Sequence, residues 1–156
     1  MEWLEPLRGQ VVGLDTAPII YFVEEHPIYL ETVRPFFEAI DRGEFQAVTS
    51  AVTLLEVLVH PLRQNNTELA SKYRDILLNS NGFACVPLSP KIAEGAAELR
   101  SQYNVQTPDA IQLATAILEG ASFFFTNDAR LPSSPALQLL IVDELKQQRP
   151  AQQEFQ

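Results

Sequence analysis

Val11-Val12-Gly13-Leu14-Asp15-Thr16 opens on an unbroken apolar run and closes on an acid and a hydroxyl. A strand with one wet face alternates apolar and polar residues, whereas a strand covered on both faces reads as continuously apolar. Four further runs share this character: Gln46-Ala47-Val48-Thr49, Phe83-Ala84-Cys85-Val86, Ser122-Phe123-Phe124-Phe125 and Leu139-Leu140-Ile141-Val142. The longer segments between them carry helical spacing. Leu69, Tyr73, Ile76 and Leu77 fall on one helical face, as do Ile92, Ala96, Leu99 and Tyr103. Ser50 and Asn66 are expected helix caps, and Ser89-Pro90 and Thr107-Pro108 each set a cap before a proline at the first helical position. Gly120 is expected to stop the helix 108–119, Pro61 to end the helix that starts after Ser50, and Pro35 to split or kink the segment 28–41.

Strands alternating with helices imply right-handed crossovers and a parallel sheet with helices on both faces. The expected fold class is therefore α/β: a three-layer α/β/α domain whose mainly parallel sheet has about five strands, one for each apolar run. Such sheets bind ligands beyond the carboxyl ends of their strands, where the strand order reverses.

The chain has 156 residues, 46% of them hydrophobic, which suits one domain with a full core. No repeat or Gly/Ser linker divides it. From Lys146 to Gln156 the apolar periodicity is lost and glutamine accumulates, so residues 1–145 are expected to form the domain and 146–156 a frayed tail. No window approaches the roughly 18 uninterrupted apolar residues of a membrane span. Met1-Glu2-Trp3-Leu4-Glu5-Pro6 has acids where a secretory signal has bases, and the one cysteine suits a reducing compartment, so a cytoplasmic location is expected. Eleven basic residues against twenty acidic ones give a net charge of −9, which argues against a generic basic nucleic-acid coat protein. An enzyme that gathers carboxylates around metal ions remains compatible with that charge.

Four acids stand at informative places. Asp15 follows the first expected strand and Asp128 the fourth. Taken singly, each is an ordinary turn former or helix cap. Glu56 lies inside the apolar helical run Thr53-Leu54-Leu55-Glu56-Val57-Leu58-Val59, where burial of a lone carboxylate costs several kcal/mol unless something compensates it, the plainer alternative being a solvated stripe of the helix. Asp109 is expected as the second residue of its helix, a position the helix dipole alone explains. Together they change the reading, because all four could reach one sheet edge. Unpaired carboxylates so close would repel one another, and magnesium or manganese (Mg²⁺ or Mn²⁺) would remove that penalty with an all-oxygen ligand set.

With these residues in place, the sequence resembles the PIN-domain ribonucleases, and within them the small VapC-like toxins of toxin–antitoxin pairs. The resemblance is carried by Leu14-Asp15-Thr16 with Ile19-Ile20-Tyr21, by Ser50 through Glu56, by Thr107 through Ala116, and by Phe125-Thr126-Asn127-Asp128. These pieces stand in the family's order and span about residue 10 to 143. The resemblance implies a PIN-like fold and an acidic metal site of Asp15, Glu56, Asp109 and Asp128, with Thr126 as a supporting hydroxyl. It further implies metal-dependent endonucleolytic cleavage of single-stranded RNA to 5′-phosphate and 3′-hydroxyl products, an antitoxin protein as partner, and a homodimer.

Other residues are read more plainly. Arg130, two after Asp128, stands either near a substrate phosphate or simply on the surface. His60, four after Glu56, is expected to favour the negative end of its helix rather than bind metal. His26 is expected to be exposed without a partner, and Cys85 to be buried packing. Phe123 to Phe125 are expected in the core rather than stacked on bases, and Arg63, Lys72 and Arg74 either follow an RNA backbone or form a solvated face. No Gly-x-Ser-x-Gly elbow and no glycine-rich phosphate loop occur, which disfavours a serine hydrolase and a nucleotide cofactor. Two rivals remain: a non-catalytic module that keeps the fold, and a metal-dependent phosphatase or receiver-like acidic pocket, disfavoured because Thr16 and Ala17 follow Asp15 and because neither paired acids near the first strand nor a late lysine after a strand occurs.

Overall fold

The computed structural model describes residues 1–146. Its five strands are β1 (Val11–Leu14), β2 (Gln46–Ser50), β3 (Phe83–Val86), β4 (Phe123–Thr126) and β5 (Gln138–Ile141). They lie in the order β3-β2-β1-β4-β5, and every neighbouring pair is parallel. The chain builds outward from β1 to β3, returns, and continues from β4 to β5. The order therefore reverses between β1 and β4, where an open parallel sheet leaves its ligand crevice.

The helices are α1 (Thr16–Val23), α2 (Leu30–Asp41), α3 (Ala51–Arg63), α4 (Thr67–Arg74), α5 (Pro90–Gln102), α6 (Thr107–Leu118) and α7 (Val142–Lys146). Strand alternation divides the core in two. Val12, Leu14 and Phe125 point into a cluster with Ile19, Phe36, Val57 and Tyr73. Phe124 points the other way, into a cluster with Ile92, Ala96, Ala110, Leu113 and Ala116. The result is the three-layer α/β/α arrangement. Trp3, in a 3₁₀ turn at Glu2–Leu7, closes the first cluster by stacking on Phe125 with ring centroids 5.5 Å apart.

One residue sets how closely α6 approaches the sheet. A Cβ at Gly13 would come within 2.5 Å of the Ala116 Cβ and 2.7 Å of Phe124 Cδ1. Glycine in β1 lets α6 lie directly on the strand, and α6 carries Asp109.

Several local expectations are corrected. Pro35 does not divide its segment, since α2 runs through it from Leu30 to Asp41. Pro61 lies inside α3, which continues to Arg63, so a single missing N–H is absorbed within the last turns. Thr107 is not a cap: α6 starts at Thr107, Gln106 precedes it, and no side chain caps this end. Ser50, Asn66 and Ser89 do cap, each accepting a backbone N–H at 3.1 Å. The segment after Asn66 changes from α4 to a π-helical turn at Asp75–Asn79, and Val142 begins α7 instead of closing β5. Lys146 ends α7, and residues 147–156 of the expected tail lie outside the described residues.

Candidate functional site

Asp15 leaves the carboxyl end of β1, held there by its backbone N–H, which donates to the Phe125 carbonyl at 2.9 Å. It is the N-cap of α1, and its Oδ1 accepts the Thr16 backbone N–H at 2.8 Å. Its other oxygen, Oδ2, accepts the Thr126 hydroxyl at 2.7 Å. The same Thr126 hydroxyl accepts the Asp128 backbone N–H at 3.1 Å. Fully buried at the end of β4, Thr126 thus bridges the two acids on either side of the strand-order reversal.

Burial raises the proton affinity of Asp15 above the ordinary carboxylate value, and Glu56 and Asp128 raise it further. The bonds from Thr126 and Thr16 act against that rise. Asp109, the third residue of α6, is raised first by burial and then by Asp15 and Asp128. Asp128 behaves oppositely. Its Oδ1 accepts Arg130 Nε at 3.1 Å and the Arg130 backbone N–H at 2.9 Å, and this pairing pulls its proton affinity down. The four acids therefore form one coupled group at the carboxyl edge of β1 and β4.

Glu56 reaches this group by a different route. Its side chain is exposed on α3, and so is neighbouring Leu55, at 64%. The apolar run around Glu56 does not bury it, because α3 turns one apolar stripe outward. Its carboxylate is nevertheless aimed: Oε1 accepts the Thr16 hydroxyl at 3.1 Å and the Gln112 side-chain amide at 3.1 Å.

Gln112 went unnoticed in the sequence. It is 3% exposed, one helical turn beyond Asp109 on α6, and its Nε2 also lies 2.9 Å from the hydroxyls of Thr16 and Thr53. The Thr49 hydroxyl lies 2.9 Å from that of Thr53 and donates to the Leu14 carbonyl at 2.9 Å. This buried polar strut joins α1, α3, α6 and the end of β1, and its outer end holds Glu56. The Gln112 Oε1 is left buried with no hydrogen-bond partner among the described residues. The signal that could have found the strut is a polar residue interrupting an apolar helix one turn from an acid: Gln112 after Asp109, and Thr53 before Glu56.

Carboxylates alone, without nitrogen or sulfur, suit a hard divalent cation. Among the described residues, however, no group of three or more His, Cys, Asp or Glu is arranged to hold a metal ion. Each site acid but Asp109 is turned to a protein partner: Asp15 to Thr126, Asp128 to Arg130, Glu56 to Gln112 and Thr16. The donor set fits such a cation by its chemistry.

The remaining candidates lie away from the acids. His60 is exposed in the last turns of α3, where its carbonyl accepts the Gln64 N–H. His26 is not free, since its Nδ1 accepts the N–H groups of Ile28 and Tyr29 at 3.1 and 3.3 Å and so closes the turn into α2. Cys85 is only half-buried, on edge strand β3. Phe124 and Phe125 are in the core. Lys72 makes a long surface contact with Glu68, 4.0 Å away. No helix among the described residues is long and apolar enough to cross a membrane.

The sequence profile of the PIN domain matches residues 12–135. No curated protein sequence matches the chain. Among solved structures, the chain is similar to VapBC2 from Rickettsia felis bound to a DNA fragment from its promoter, with 20% identity, a TM-score of 0.67, and 84% of this chain and 98% of that one covered. It is also similar to a toxin–antitoxin complex from Klebsiella pneumoniae, at 24% identity and a TM-score of 0.58, covering 81% and 94%. A third is VapC20 of Mycobacterium tuberculosis, a sarcin–ricin loop cleaving toxin, at 15% identity and a TM-score of 0.59, covering 73% and 86%.

Proposed function

From the premise that this chain belongs to the PIN-domain family, we propose that it is a Mg²⁺- or Mn²⁺-dependent endoribonuclease acting on single-stranded RNA, and the toxin of a toxin–antitoxin pair. The observation that carries this reading is the Thr126 bridge between Asp15 and Asp128, with Asp109 and Glu56 electrostatically coupled to it. Repelling acids at a ligand crevice cost stability, and a cation-dependent activity gives them a reason to be there.

In this reading Asp15, Asp109 and Asp128 hold the cation, and Glu56 is a further ligand or orients the attacking water. When bound, a divalent ion supplies charge neutralisation, polarises the scissile phosphate and makes a water acidic enough to attack at neutral pH. The chain's own groups do the positioning. Thr126 fixes the Asp15 carboxylate by donating to Oδ2, and Gln112 and Thr16 hold Oε1 of Glu56 toward the other acids. Arg130, freed from Asp128, is the cation available to a substrate phosphate.

An antitoxin partner is supported by the toxin–antitoxin complexes among the structural neighbours. Leu55, Val59 and Leu62, at 64%, 39% and 53% exposure, give α3 an apolar stripe beside Glu56 on which such a partner could dock. A homodimer is proposed from the family resemblance alone.

The test is cleavage of end-labelled single-stranded RNA by the purified chain in millimolar Mn²⁺, with and without chelator. Metal-dependent internal cuts that vanish in Asp15→Asn support the reading. Intact RNA in every metal would leave the non-catalytic module, and release of inorganic phosphate from monoesters without RNA cuts would favour the phosphatase.

A further inference from the structure

A cleft of about 590 Å³ runs from Asp109 and Asp128 toward the loop between α5 and α6. Its size falls within the roughly 300–1,000 Å³ of small-ligand sites. Beyond those two acids and Arg130, its walls are Tyr103, Asn104, Val105, Gln106, Leu131 and Pro132, none of them charged. A phosphate therefore has nothing to bind at the far end, whereas a neutral, flat ring with hydrogen-bonding edges matches the chemistry there. Tyr103 keeps 36% of its surface exposed and stacks on no aromatic ring among the described residues, so its ring is available. The side-chain amides of Asn104 and Gln106 are exposed and make no hydrogen bond among the described residues. Each offers a donor and an acceptor, the pair needed to read a base edge.

The loop that presents them is held firmly. Arg100 donates from Nε to the Val105 carbonyl at 3.0 Å and from Nη1 to the Thr107 hydroxyl at 2.9 Å. Val105, 7% exposed, anchors the loop in the core between the sheet and α5–α6. A recognition loop fixed before binding loses little entropy when it takes a ligand.

We propose that this cleft receives one nucleobase next to the phosphate being cut, with Tyr103 stacking on it and Asn104 and Gln106 reading its edge, so that the α5–α6 loop sets the cleavage sequence. The inference rests on the RNA-cleaving reading of the acidic site and adds to it the part of the substrate that is recognised.

The experiment is cleavage of a random-sequence single-stranded RNA pool in Mn²⁺, with cut sites mapped by sequencing. Wild type is compared with Tyr103→Ala, Tyr103→Phe and the double variant Asn104→Ala, Gln106→Ala, each checked for an unchanged melting temperature. Wild type is expected to favour one nucleotide at one position within two of the cut. The double variant flattens that preference at least about fivefold, the scale of a lost base-edge contact. Tyr103→Ala raises the RNA concentration for half-maximal cleavage by about fivefold or more, and Tyr103→Phe restores it because a phenyl ring still stacks. An unchanged preference in the double variant overturns the proposal while leaving the nuclease reading intact. If wild type cuts no RNA, the nuclease reading fails, and titration of the four nucleosides at millimolar concentration, followed by NMR, decides the cleft separately. Resonance shifts at residues 103–106 that are lost in Tyr103→Ala support a base site, and their absence in wild type overturns it.

Discussion

At the scale of single residues, the acids of the site oppose one another in their response to pH. Burial and neighbouring charge raise Asp15 and Asp109, so the folded chain holds these protons more tightly than the unfolded chain. Their contribution to stability is fully present below the unfolded carboxylate value near 3.8 and is lost as pH rises through the raised folded values. Asp128 is lowered by Arg130, so its contribution is present at neutral pH and lost as pH falls through its lowered value. In metal-free buffer, Asp15→Asn should therefore melt a few degrees above wild type at pH 7, and the gap should close toward pH 4. The amide keeps an oxygen for the Thr16 N–H, which limits the damage from the substitution. Thermal melts across that range check this, and a variant less stable than wild type at pH 7 would contradict it. Arg130→Gln removes the cation that competes for Asp128, so Mn²⁺ should bind more tightly. If Arg130 also meets a substrate phosphate, as proposed, the same variant should need more RNA for half-maximal cleavage. Tighter metal binding with unchanged RNA dependence would make Arg130 a competitor only.

At the scale of elements, placement of Asp109 depends on how closely α6 sits on β1. Gly13→Ala would force its new methyl into Ala116 and Phe124, for which overpacking costs of about 1–3 kcal/mol are typical. Displacing α6 moves Asp109, so metal affinity should fall together with stability, which paired melts and Mn²⁺ titrations measure. Gln112→Leu should separate those two quantities. It removes an amide oxygen that is buried without a partner among the described residues, a defect worth about 1–3 kcal/mol, but also the donations to Thr16 and Thr53, so the two effects offset and stability should change little. It also removes a donor to Glu56, so Mn²⁺ binding should weaken. A parallel loss of both would make Gln112 a packing residue only. The strands and the sheet's parallel sense were legible because doubly covered strands must be continuously apolar, as β1 and β4 are. Helix ends at Ser50, Asn66 and Ser89 were legible through their caps. The split at Pro35 and the stop at Pro61 do not occur, because packing can retain a helix across one missing N–H. The order of the strands made the positions of Asp15 and Asp128 interpretable, whereas the aim of Glu56 was not readable from its neighbours. Leu55 faces outward, and the contacts that direct Glu56 come from Thr16 and Gln112, distant in sequence and joined only by the fold.

At the scale of the whole molecule, a chain of net charge −9 would repel the proposed RNA substrate unless its acids were neutralised where that substrate lands. The arrangement concentrates that need at one crevice, between β1 and β4, with Arg130 beside it and a neutral cleft leading away. Cation binding to the folded state should therefore also stabilise the whole domain, by roughly 2.7 kcal/mol at a hundredfold excess over Kd. The most direct measurement is calorimetric titration of Mn²⁺ into metal-free wild type and into Asp15→Asn at neutral pH. A shared four-acid site predicts saturable binding in wild type that weakens about tenfold or more in the variant, a loss of roughly 1.4 kcal/mol or greater. Superimposable isotherms, or no binding to wild type at millimolar Mn²⁺, would contradict it.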